Sequence, residues 1–193
     1  MPIAAASLFR RCVVAGELSH RRLSSDQRCR SPLHLFNFSF QLQRYGFNLF
    51  HGLDGSAGML EIAKRKDLYL ELKQSMLGQE QLPYHSDNYD AVIIVGALSD
   101  GQVPVSVIPE LIRVTRPGGF VCMTTRSNIS NLQYKAELEK EMVSLQSKIL
   151  WEQVLVQEVE QWEKATSDKE ITQETDYIPG VIYIFRKVTP SCH

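Results

Sequence analysis

From about residue 45 onward, short runs of β-branched and aromatic residues take turns with stretches whose apolar positions recur at helical spacing. The run Phe47-Asn48-Leu49-Phe50-His51-Gly52-Leu53 predicts a strand, and Met59, Leu60, Ile62 and Ala63 open an amphipathic helix behind it. Residues 68–77 hold a second apolar run, a weaker strand candidate, and 78–88 form a loop that contains Leu82-Pro83-Tyr84. Residues 90–98 are apolar without alternation, as a strand covered on both faces requires. Apolar side chains at 105, 107, 108, 111, 112 and 114 predict a helix lying against the sheet, and Arg116-Pro117-Gly118-Gly119 stops it. Residues 120–125 predict the next strand. A highly charged helix follows over 132–150, touching the core through Leu138, Met142, Leu145 and Ile149. Two antiparallel edge strands, 151–162 and 180–187, flank a polar, acidic loop. Strands that alternate with helices in this way predict an α/β fold with a parallel sheet.

Charge then divides the chain. Residues 1–45 hold seven arginines, no lysine, and only Glu17 and Asp26 as acids; the remainder has fourteen basic against twenty acidic residues. Arginines interspersed with serines and small apolar residues have the character of a mitochondrial presequence. The plainer expectation, which we prefer, is a poorly ordered leader over 1–45, followed by a partial domain over 46–188 and a tail over 189–193. With 193 residues, 44% of them hydrophobic, the chain has the length and composition for one globular domain. A net charge of -1 gives no electrostatic footprint for nucleic acid or an acidic membrane surface, so neither partner is implied. No apolar run approaches the roughly 20 residues that span a bilayer, and a soluble protein is expected. The four cysteines, Cys12, Cys29, Cys122 and Cys192, have neither CxxC spacing nor a histidine cluster beside them, so no metal site is expected. Free thiols fit a cytoplasmic location, with mitochondria as the alternative that the arginines raise.

In open α/β sheets a ligand binds beyond the carboxyl ends of the strands. Asp54 directly follows the first predicted strand, where a carboxylate can accept hydrogen bonds from both hydroxyls of a ribose, and Gly55 lets the backbone approach a nucleoside closely. From position alone, a plain Asp54-Gly55 turn with Ser56 capping the next helix is an equal reading.

Three motifs carry a resemblance, in order and spacing. Gly52-Leu53-Asp54-Gly55-Ser56-Ala57-Gly58-Met59-Leu60 comes first, then Leu82-Pro83-Tyr84 ahead of Asn88-Tyr89-Asp90. The third is Glu110-Leu111-Ile112-Arg113-Val114-Thr115-Arg116-Pro117-Gly118-Gly119. Over residues 45–187 the chain resembles the class I S-adenosylmethionine-dependent methyltransferases. The resemblance implies a Rossmann-like sheet with a C-terminal antiparallel strand pair, S-adenosylmethionine as cofactor, and a small-molecule or protein methyl acceptor. By the same resemblance Asp54 would hold the ribose, Gly55 and Met59 would flank the adenosine, and Gly96 to Ser99 would face the methyl-bearing end. Gly78 stands where the family commonly has an aspartate that accepts from the adenine amino group, and Gln79 or Glu80 is the expected substitute.

The family also has a strand ending in a glycine-rich turn about twenty residues before the ribose-binding acid. Residues 1–45 contain one glycine, Gly16, in no recognisable strand-turn-helix context. The sheet is therefore expected to be incomplete at its N-terminal side, as in a truncated or alternatively spliced form. Each lost amide contact weakens cofactor binding by about 1 kcal/mol. Methyl transfer needs little side-chain chemistry, and no catalytic base stands out; His85, Asp100 and Tyr134 are helpers by chemical type only, and His51 is expected to adjoin the core. Two readings compete with a methyltransferase: a non-catalytic α/β interaction module, and a nicotinamide-dependent oxidoreductase, which lacks the same glycine turn.

Overall fold

The computed structural model describes residues 10–16, 42–44, 46–164 and 177–189. Its centre is a seven-stranded sheet built from β1 (Arg10–Gly16), β2 (Phe47–Asp54), β3 (Tyr69–Gln74), β4 (Tyr89–Leu98), β5 (Thr115–Arg126), β6 (Trp151–Lys164) and β7 (Tyr177–Lys187). The strand order is β3-β2-β1-β4-β5-β7-β6. The pairs β1–β2, β1–β4, β2–β3 and β4–β5 are parallel, whereas β7 runs antiparallel to both β5 and β6. Both the parallel sheet and the antiparallel C-terminal pair agree with the sequence expectation.

The first strand corrects that expectation. Arg10–Gly16, assigned above to a leader, forms β1 and fills the position between β2 and β4 that was thought to be empty. The misreading has a physical cause. Only Cys12, Val13 and Val14 are described as fully buried in this strand, so its apolar run is too short to stand out beside the arginines. Arg11 is accommodated at the strand's amino end: its amide donates to the Asp90 carboxylate at 2.7 Å and its guanidinium to Asn88 Oδ1 at 2.8 Å. The rest of the expected leader, other than 42–44 and the described strand, and the last four residues of the tail lie outside the described residues.

Among the described residues, three complete α-helices accompany the sheet. The first, α1 (Ala57–Lys64), starts at Ser56, whose hydroxyl accepts the Met59 amide. The second, α2 (Ile108–Val114), follows a 3-10 turn at Val105–Val107 and buries Ile108, Leu111, Ile112 and Val114. The third, α3 (Leu132–Ser147), buries Tyr134, Leu138, Met142 and Leu145, one stripe at spacings of four, four and three. Here a second expectation is corrected: the helix ends before 149, Ile149 takes φ 58°, and its side chain is 72% exposed rather than packed. Arg116-Pro117-Gly118-Gly119 does not precede β5 but bulges within it, since Tyr89 pairs with Thr115 and Ala91 already with Phe120.

The larger core, between the sheet and the α2–α3 layer, includes Leu53, Tyr89, Ile94, Leu111, Met123, Leu138, Trp151 and Phe185. A smaller one on the opposite face groups Cys12, Val14, Phe50, Ala91 and Ile93. Among the described residues no helix is long and apolar enough to cross a membrane.

Candidate cofactor site

The strand order reverses between β1 and β4: the chain builds outward to β2 and β3 on one side and to β5 on the other. A crevice opens at the carboxyl ends of strands where such a reversal occurs. At this edge Gly16, the last residue of β1, pairs with Asp54, the last of β2, and Asp54 pairs with Gln74, the last of β3. The three residues form one row along the carboxyl rim.

Asp54 is 4% exposed, and its turn is fixed from several sides. Its carboxylate accepts the Ser56 amide at 2.7 Å, and its carbonyl accepts the Ser75 amide at 3.3 Å. The Gln74 side-chain amide donates to the Gly55 carbonyl at 3.0 Å. A carboxylate buried this deeply needs such donors, because an uncompensated charge away from water is costly. Gly55 and Met59 are half-buried beside it, Met59 in the first turn of α1. Asp54, Gly55 and Met59 are thus a single β2–α1 unit. Behind it a cavity of about 10 Å³, lined in part by Val14, Asp54, Leu60 and Ala63, has room for one water molecule at most.

Gly96 lies on β4, beyond β1 from this unit, with φ 74° and an amide that donates to Thr124 Oγ1 at 3.1 Å. A Cβ built there would meet no atom within 4 Å, so the backbone faces open space. Gln79 is exposed on the loop after β3, and Glu80 accepts the Ser75 hydroxyl at 2.8 Å. Gly78 explains its own departure from the family pattern. It takes φ 79°, and a Cβ would stand 2.4 Å from Pro104 Cγ, so no aspartate fits there.

Sequence reading missed the residues that shape the loop after β4. Thr125 donates its hydroxyl to the Leu98 carbonyl at 2.6 Å; Asn131 donates to Thr125 Oγ1 and to the Arg126 carbonyl and accepts the Asp100 amide. Their only signal was position, at the end of β5 and the start of α3. Tyr134, considered as a helper, is 8% exposed and donates to the Val103 carbonyl at 2.7 Å, while burial pushes its phenol far above the usual range. It is a structural donor, not a base. Asp100 is exposed on the loop itself.

His85 is removed from the carboxyl rim. It precedes the amino end of β4 and helps line a surface hollow of about 410 Å³ formed by residues 81–86 and Arg113. The Arg113 guanidinium in that hollow is committed to Glu110, Ser86 and the carbonyls of Leu82 and Tyr84. His51 adjoins the core, with Nδ1 2.7 Å from the Tyr89 hydroxyl; burial holds its pKa below the usual value, against the pull of Glu71. Cys122 is pushed up to about 11 by burial, and Cys12 higher still, so neither is poised as a thiolate. Among the described residues no group of three or more His, Cys, Asp or Glu is placed to hold a metal ion.

Residues 37–123 match the methyltransferase domain family. Across 94% of both chains the fold superposes on an S-adenosylmethionine-dependent methyltransferase of Methanosarcina mazei with a TM-score of 0.60 at 14% identity. Over residues 37–123 the chain carries a methyltransferase domain. In sequence this methyltransferase domain is 50% identical over 133 residues to methyltransferase-like protein 27 of Homo sapiens, a match covering 69% of the present chain and 52% of that protein. It is also 38% identical over 79 residues to a demethylmenaquinone methyltransferase of Bacillus mycoides, covering 39% and 33% of the two chains. The chain therefore spans about half the length of the first relative and a third of the second. The same methyltransferase fold, with a TM-score of 0.60 at 15% identity over 94% and 76% of the chains, occurs in the [4+2]-cyclase SpnF. Fold alone does not fix a reaction.

Proposed function

We propose that this chain binds S-adenosylmethionine at the carboxyl rim of β1, β2 and β4 and transfers its methyl group to an acceptor. The observation that carries the reading is the buried Asp54 carboxylate, clamped at the end of β2 and in register with Gly16 at the end of β1. The nucleoside end of the cofactor fits these residues. Asp54 offers carboxylate oxygens to ribose hydroxyls, Gly55 carries no side chain beside it, and Gly96 leaves the backbone open to close approach. The glycine-rich turn that the family places beside the methionine end has no counterpart in the sequence, where no glycine follows Gly16 until Gly46.

When bound, the cofactor supplies a sulfonium-activated methyl group to the acceptor nucleophile. This chain's residues bind and align. Asp54 fixes the ribose, the β2–α1 turn fixes the adenosine, and the loop after β4 forms the wall nearest the methyl-bearing end. Burial keeps Tyr134 and Cys122 protonated, so neither serves as a base.

Isothermal titration with S-adenosylhomocysteine tests the reading, with Asp54→Ala in parallel and circular dichroism to show that both chains are folded. Binding by the wild-type chain, weakened at least about tenfold in the variant, is expected, since each 1.4 kcal/mol lost is a factor of ten. A folded wild-type chain that takes up no heat overturns it and leaves the non-catalytic module as the working account.

A further inference from the structure

We propose that Asn131 is the positioning residue for the cleft wall that follows β4; the inference rests on the cofactor reading above. Asn131 is 3% exposed; it ends the 3-10 turn Ile129–Asn131 and directly precedes α3. Its side-chain amide makes three bonds, to two segments that are distant in sequence. Nδ2 donates to Thr125 Oγ1 at 3.1 Å and to the Arg126 carbonyl at 2.8 Å, both on β5, while Oδ1 accepts the Asp100 amide at 3.0 Å. Thr125, 2% exposed, donates a hydrogen bond from its own hydroxyl to the Leu98 carbonyl at 2.6 Å. Leu98 and Asp100 flank Ser99, at the end of the stretch that begins with Gly96. The loop is thus tied to the end of β5 at both Leu98 and Asp100, with Asn131 as the node.

Only a side chain that both donates and accepts can make this node. Apolar packing already secures the loop's base, since Leu98 and Val103 are 1% and 0% exposed and Tyr134 holds the Val103 carbonyl. Asn131 is therefore not what keeps the loop on the protein. It sets where the Asp100 amide and the Gly96 to Ser99 backbone stand, and a pre-placed wall spares the cofactor the cost of ordering it.

The test exploits a substitution of the same shape. Asn131→Asp keeps the acceptor for the Asp100 amide, but when ionised it turns a negative oxygen toward the Arg126 carbonyl and Thr125 Oγ1. Burial against these two oxygens favours the protonated form, whose hydroxyl donates again to one of them. The charged side chains on the segments that Asn131 touches are those of Asp100, exposed on the loop, and Arg126, ion-paired with Glu163. S-adenosylhomocysteine affinity is measured at pH 8 and pH 5 for wild type, Asn131→Asp and Asn131→Ala, with the thermal midpoint followed at each pH. The proposal expects Asn131→Asp to bind about tenfold more weakly than wild type at pH 8 and to recover to within about threefold at pH 5, with Asn131→Ala weak at both. Wild-type affinity for Asn131→Asp at pH 8, or no recovery at pH 5 in a chain that stays folded, overturns it. A folded wild type that takes up no ligand defeats the cofactor reading, and the wall assigned to Asn131 falls with it.

Discussion

At Gly78 the backbone takes a conformation that side chains avoid, and Pro104 occupies the space a Cβ would need. Restoring the family's aspartate there should fail on both counts. Gly78→Asp is expected to destabilise by about 2–4 kcal/mol in chemical denaturation, the sum of left-handed strain and overpacking, and to gain no cofactor affinity. Tighter S-adenosylhomocysteine binding by a stable Gly78→Asp chain would show that Pro104 yields. Ile149 presents the reverse case: a β-branched residue at φ 58° with its side chain 72% exposed. Ile149→Gly removes the strain and little packing, so a gain of about 0.5–1 kcal/mol and a higher thermal midpoint are expected. These two positions mark where the sequence stopped being legible. Asp54, Gly55 and Met59 could be placed because a strand-turn-helix junction brings neighbours in sequence together in space. Asn131 and Thr125 could not, because their partners Asp100 and Leu98 lie 31 and 27 residues away, and no local pattern encodes that meeting.

Among the elements, β1 is the one on which the sheet most depends. It forms one side of the reversal point, with β4 as the other, and Val14, 1% exposed, reaches the smaller core. Val14→Ala is expected to cost about 2 kcal/mol, read from the shift of the urea midpoint at unchanged slope. No loss of stability would mean that Arg10–Gly16 does not sit in the sheet. β2, β4, α2 and the C-terminal pair were readable because each carries an apolar run of strand length or a stripe of helical period. β1 was not, since three buried residues between arginines and a glycine look like any short apolar cluster. Its pairing with β2 and β4 comes from tertiary context: Cys12 and Val14 match the small core on one face, Val13 the large core on the other. The end of α3 was misplaced for a similar reason, as Ile149 continues the apolar spacing by chance while the backbone has already left the helix.

For the whole molecule, acid stability depends on groups that hold distant segments together. Glu110 accepts from the Arg113 guanidinium and from the Leu82 amide, which ties α2 to the loop before β4, and the Arg113 bond holds its carboxyl below the usual value of 4.5. A carboxyl depressed in the folded state stabilises above its unfolded pKa and loses that contribution as pH falls through the folded value. The chain is therefore expected to lose stability below about pH 4.5, and Glu110→Gln to flatten that decline. An identical acid profile in the variant would place the sensitivity elsewhere. At the far end of the sheet, β7 stands between β5 and β6, and Lys187 at its end donates to Asp87 and to the carbonyls of Ile112 and Thr115 that close α2. On a ribosome this order matters. β6 emerges before its one neighbour in the sheet, so Trp151 cannot stack on Phe185 until β7 has left the exit tunnel. The nascent chain must wait with a fourteen-residue strand unmated, and it is then that a chaperone would find it.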